Sequence, residues 1–162
     1  MKIAPGIFPS CFSPEKASQN AFPTYNTFMI NTAVPKTNAM LICDYVITET
    51  ETNKKSLIGI FETIGASQFP VVHHSLSVYV KLTEANGVYR FQLDLIDLKS
   101  DIEVTKCEIP EDLKIDNPLR SSELVFNLRG LKFPHPGEYE FRIYANSRIF
   151  GQKSFLVSEI KK

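Results

Sequence analysis

The sequence predicts an all-β fold, an antiparallel β-sandwich, and three observations predict it. Runs of alternating apolar and polar residues recur at 78–83, 90–95, 123–129 and 139–144, and such alternation gives a strand one buried and one wetted face. Valine, isoleucine, threonine, tyrosine and phenylalanine fill those runs, as a pleated surface favours. No segment sustains the apolar spacing of a helix. The alternative closure for such a set of strands is a partly open β-barrel.

Residues 1–38 read as an N-terminal extension, because five of the ten prolines fall there with Ser, Thr and Asn between them and no regular period. Phe8, Phe12, Phe22, Tyr25 and Phe28 make it more aromatic than a free linker, so part of it is expected to dock on the domain or on a partner. The β-sandwich domain, 39–162, opens with residues 40–48, apolar on both faces apart from Asp44. A strand of that kind belongs inside a sandwich or under a partner. Residues 49–55 form a polar turn, and 56–61 a second two-sided strand in which Gly59 marks a bulge or a close backbone approach. Gly65 and Pro70 then break the chain.

Asn86-Gly87 lies between two alternating runs, the pattern of a type I′ hairpin. Pairing outward from it puts Leu82 opposite Phe91, Val80 opposite Leu93 and Val78 opposite Leu95. The other face, expected to be solvated, pairs Thr83 with Arg90, Lys81 with Gln92 and Tyr79 with Asp94. A short strand is expected at 101–107, a polar connection at 110–120, and a strand at 123–129 with Leu124, Phe126 and Leu128 inward.

The entry Pro136-Gly137-x-Tyr139-x-Phe141 points Tyr139, Phe141 and Ile143 one way and Glu138, Glu140 and Arg142 the other. It is similar to the tyrosine-corner region of immunoglobulin-like sandwiches. Asn146-Ser147 turns the chain into a last strand, 149–157. There Phe155 and Val157 fall out of step with Ile143 and Phe150 unless Gly151 supplies a bulge.

Eighteen basic and eighteen acidic residues cancel, which argues against the strongly basic face of a nucleic-acid binder. No basic amphipathic helix and no long apolar run suggests a membrane role. Cys11, Cys43 and Cys107 are an odd, widely spaced set. Pro5, Gly6 and Pro9 interrupt the start before a signal core can form. A cytoplasmic protein with reduced thiols is therefore expected, with Cys43 packing as a small apolar residue.

Three histidines carry the available acid-base or metal chemistry. His73 and His74 are adjacent and so face opposite sides of a strand. A metal site would join one of them, His74 in particular, to His135 and a carboxylate. Asp94, Asp97 and Asp101 lack the spacing of a calcium loop, and no nucleophile or phosphate-binding motif is present. No cofactor is implied. Tyr79 and Tyr144 fall on polar strand faces, and with Asp94 and Arg90 they are the candidate binding residues.

At Cys43-Asp44-Tyr45-Val46, residues 59–66, Phe69-Pro70, His74 and residues 76–82, the chain resembles a bacterial domain-of-unknown-function family of small all-β proteins. The similarity runs over residues 40–157, and 59–70 is its most recognisable part. It implies a single β domain and a bacterial, cytoplasmic origin, and it brings no activity or catalytic residue. The leading expectation is a non-catalytic binding or assembly module acting through protein–protein contacts, with a protein partner or a second copy. The alternative is a small metal-dependent or ligand-processing enzyme using His73 or His74 with His135.

Overall fold

The computed structural model describes residues 10–11 and 32–160, and the aromatic residues of the extension, from Phe8 to Phe28, lie outside them. Twelve strands follow in chain order: β1 (Ser10–Cys11), β2 (Lys36–Thr48), β3 (Lys55–Ile60), β4 (Thr63–Ala66), β5 (Val71–Thr83) and β6 (Gly87–Tyr89), then β7 (Phe91–Asp97), β8 (Ile102–Glu108), β9 (Leu113–Ile115), β10 (Ser122–Phe133), β11 (Gly137–Ala145) and β12 (Arg148–Glu159). They form a sandwich of two sheets ordered β1-β10-β5-β2-β3 and β4-β12-β11-β7-β8, with a small β6-β9 ribbon beside them. Pairing is antiparallel except for β1 on β10 and β4 on β12. No helix among the described residues is long and apolar enough to cross a membrane.

The core forms where the inward residues of the two sheets meet. Leu76, Val78, Val80 and Leu82 of β5 and Leu124, Phe126 and Leu128 of β10 face Phe91, Leu93 and Leu95 of β7 and Tyr139, Phe141 and Ile143 of β11. Phe141 stacks on Phe155 at 5.3 Å between ring centroids. Each such side chain contributes roughly 1.5–3 kcal/mol through burial.

The expected Asn86-Gly87 hairpin does not form. Strand β5 pairs with β10 and β2, whereas β7 pairs with β11 and β8 in the other sheet. Positive φ occurs at Glu84 and Gly87, not at Asn86, and the chain steps from one sheet to the other. Alternation assigns a residue to a face, not to a neighbour. Leu82 and Phe91 therefore share the core while belonging to opposite sheets.

The type I′ geometry appears instead at Asn146-Ser147, with φ of 49° and 64°, between β11 and β12 as the sequence implied. A register shift places Ile143 opposite Gly151 and Tyr144 opposite Ile149. The bulge restores Phe155 and Val157 to the core. Gly151 also lets β12 approach β2, since a Cβ there would lie 2.5 Å from Thr37 Oγ1. The tyrosine corner is present: Tyr139 is fully buried and its hydroxyl donates to the His135 carbonyl at 2.9 Å.

The first sheet's order is entered two residues before position 38, at Lys36. Thr32 is buried, and Ala33 offers its carbonyl to the Tyr89 hydroxyl at 2.8 Å. Cys43 is free and buried, but Cys107 is disulfide-bonded, unlike the reduced set expected of a cytoplasmic chain.

Candidate functional site

Strand β2 pairs with β5 only as far as Cys43; beyond it, β2 pairs with β3 alone. Lys55 stands opposite Thr48, nine residues past Ala39, and Ala39 is level with Glu123 through Lys81. Along a flat sheet that offset is about 30 Å. Yet Lys55 Nζ lies 3.1 Å from Glu123 Oε2. The β2–β3 arm therefore doubles back across the outer face of its own sheet.

This arm decides which apolar residues are covered. Val46 and Leu57 are half-buried, while Tyr45, Ile47, Ile58 and Ile60 stand 53, 51, 38 and 56% exposed. Tyr45 and Ile58 are cross-strand partners, so they make one patch. β3 is the terminal strand of its sheet, and its residues 56–60 carry no charge to discourage pairing with another chain.

At the base of the arm is a cleft of about 350 Å3 lined by Asp44, Gly59, Ile60, Phe61, Ile64 and His73, among others. The pairing of β2 with β3 skips Asp44 and Gly59. Gly59 has φ of 65°, and a Cβ on it would fall 2.0 Å from Asp44 Oδ2, so the carboxylate rests against bare backbone. At the back, His73 lies 6.0 Å from the Phe61 ring, and its Nε2 is buried without a hydrogen-bond partner. Burial pushes the imidazole's pKa down, against smaller opposing effects of the Ser75 backbone and Asp44.

The residues singled out from sequence do not converge. Tyr79 is buried beneath the arm, where its hydroxyl donates to Glu123 Oε1 at 2.6 Å. Burial, followed by Glu123, raises its pKa strongly. The exposed tyrosine expected at this position is thus a structural one, because the outer face is covered. Asp94 is buried on the second sheet, not solvated; it accepts from Gln92 Nε2 at 2.7 Å, and desolvation raises its pKa. Tyr144 is half-buried on the neighbouring strand β11, opposite Gln92. Arg90 is exposed, and its Nε donates to Asp112 Oδ1 at 3.0 Å.

His74 is exposed, while His135 Nε2 lies 2.9 Å from Asp97 Oδ2. Asp97 also accepts from Ser100 Oγ at 2.7 Å and the Lys99 N–H at 3.0 Å. Among the described residues no group of three His, Cys, Asp or Glu side chains is placed to hold a metal ion. The Asp97 cluster ties a loop to the tyrosine corner; burial raises the carboxyl's pKa, and these bonds more than offset it, leaving it below its ordinary value.

Sequence reasoning missed Asp44 as a site residue. Its signal was available: it is the one charge within residues 40–48 and 56–60, and the flanking pairs Cys43–Ile60 and Tyr45–Ile58 set it beside the glycine at 59.

A comparison with protein families matches the chain over residues 38–158 to one described as a family of unknown function, DUF6941. Among curated proteins none matches. Solved structures with a similar chain path include the Pseudomonas fluorescens alkylpurine DNA glycosylase AlkC bound to abasic-site DNA. It has a TM-score of 0.46 and 9% identity over 76% of this chain and 30% of that one. A Listeria innocua β-glucosidase mutant with laminaribiose has a TM-score of 0.43 and 13% identity over 78% of this chain and 16% of that one. Thermotoga neapolitana β-glucosidase 3B with glucose has a TM-score of 0.37 and 17% identity over 54% and 15%. The chain spans less than a third of the length of each, and these likenesses carry no functional argument.

Proposed function

From the premise that the chain belongs to DUF6941, a family of unknown function, we propose that it is a non-catalytic binding or assembly module acting through protein–protein contacts at the β2–β3 arm. One observation supports this most: Tyr45, Ile47, Ile58 and Ile60 are exposed on a doubled-back arm whose edge strand β3 is uncharged over 56–60 and, among the described residues, pairs only with β2. Natural edge strands are ordinarily blunted by charge, proline or a covering loop. An extended segment of another polypeptide adding to β3 would satisfy its free backbone groups and bury its isoleucines.

Native mass spectrometry on gently purified protein tests the reading. The expected result is a dimer or a stoichiometric protein partner, lost in Ile58→Lys and Ile60→Lys variants that keep the wild-type circular dichroism. A wild-type chain that is monomeric and unaccompanied, or an assembly that both variants retain, refutes it.

A further inference from the structure

The cleft at the base of the arm has a chemistry narrower than apolar docking. Its charged group is the Asp44 carboxylate, and no cation pairs with it among the described residues. Its polar lining also includes Thr63 and His73. The Nε2 of His73 is buried and unpartnered. In the neutral imidazole that carries its proton on Nδ1, Nε2 is the accepting nitrogen. The exposed Asp44 carboxylate and the buried His73 nitrogen thus border one cleft, and of the two the nitrogen lacks a donor. An anionic ligand would be repelled by Asp44, and a metal ion would find fewer protein ligands than the usual three or four.

Of the remaining walls, Thr63 is polar, whereas Ile60, Phe61 and Ile64 are apolar and suit a methylene stem. Gly59 keeps the approach to the carboxylate open, because any side chain there would occupy it. The group that fits is a cation carrying several N–H donors on an aliphatic chain, which describes a lysine ammonium, with three donors and no acceptor.

We infer that this cleft binds a primary ammonium group, the side-chain amine of a lysine on a partner segment added to β3, with Asp44 taking its charge and His73 Nε2 accepting one of its N–H groups. The inference rests on the reading of β3 as the docking edge, since the cleft opens beside Ile60 on that edge. It specifies what the docked segment must carry.

The test uses n-butylammonium chloride as the probe, followed by amide and histidine-ring nitrogen NMR on the full chain. Saturable shifts are expected at residues 59–65 and at the His73 ring. They should be absent with n-butanol, which lacks the charge, and with tetramethylammonium, which lacks the N–H donors. Asp44→Asn, at an exposed position, should weaken binding at least about tenfold, the scale of one charge-assisted hydrogen bond, and His73→Phe should weaken it less.

Equal binding by Asp44→Asn, equal shifts with tetramethylammonium, or no saturable shift overturns the inference. So does zinc that binds stoichiometrically and displaces the amine. A chain that assembles through β3 yet ignores butylammonium overturns this inference alone. One that binds butylammonium but has no partner at β3 overturns the assembly reading and the lysine as the source.

Discussion

Replacing Gly59 with alanine tests whether the base of the arm is built as described. Two costs are expected. The first is backbone strain: φ is 65°, and an L-residue in the left-handed region costs roughly 1–2 kcal/mol. Loss of unfolded-state freedom returns about 0.4–1 kcal/mol, so the net is about 1 kcal/mol. The second is steric. The new Cβ would meet Asp44 Oδ2 at 2.0 Å and Cγ at 2.7 Å, and the exposed carboxylate must swing aside at roughly 0.5–1.5 kcal/mol if it leaves its rotamer. Gly130 supplies the control. Its φ is 66°, and among the described residues nothing lies within 4 Å of a Cβ built on it, so Gly130→Ala carries the strain without a collision of the Asp44 kind. Urea unfolding should show Gly59→Ala about 1 kcal/mol less stable than Gly130→Ala, a midpoint gap of roughly 0.3–1 M for ordinary slopes. In an Asp44→Ala background that gap should close, as a double-mutant cycle reads directly. Equal losses at the two glycines, or a gap that survives removal of Asp44, would refute the apposition of carboxylate and backbone on which the cleft depends.

The tyrosine corner and its neighbouring loop give two further expectations. Tyr139→Phe keeps the buried ring but strands the His135 carbonyl, and should cost about 1 kcal/mol by denaturant unfolding; an unchanged midpoint would show the hydroxyl bond to be inert. Asp97 has a folded-state pKa below its ordinary value, despite burial, because Ser100, Lys99 and His135 favour the carboxylate. Its contribution is therefore full above the unfolded carboxylate pKa of about 3.9 and fades as pH falls through the lower folded value. Asp97→Asn should flatten that acid limb of a stability–pH curve while leaving its slope at neutral pH alone. A limb as steep as wild type would assign acid sensitivity to other carboxylates.

What could be read from sequence divides by the range of the physics involved. The turn at Asn146-Ser147, the bulge that brings Phe155 back into step and the corner hydroxyl of Tyr139 are local, set by residues within a few positions of one another, and each appears where its residues implied. Pairing is not local. The runs 78–83 and 90–95 present matching apolar sets, and a hairpin or two facing sheets would bury those sets equally well. The sandwich took the second course, which moved Tyr79 and Asp94 from an imagined shared polar face to the outer faces of different sheets. The burial of Tyr79 has a long-range origin: an arm that doubles back on itself is written in an ion pair between Lys55 and Glu123, and no periodicity in either segment announces it.

The same distinction explains why the site was only half visible. An apolar strand pair interrupted by one aspartate and one glycine was legible; the expected bulge or backbone approach at Gly59 is instead a close contact with the Asp44 side chain. That His73 would close the back of the cleft depended on β5 lying beside β2, a pairing across more than thirty residues of chain. Once that pairing exists, the arm acquires two unequal parts: an outer patch of Tyr45, Ile47, Ile58 and Ile60 that discriminates little among apolar partners, and a base where Asp44 and His73 ask for a hydrogen-bond donor. Apolar area supplies most of the association energy and polar groups most of the discrimination. A segment that fills the patch without a cation leaves Asp44 to be desolvated unpaired, and that penalty is what would separate a cognate strand from any other.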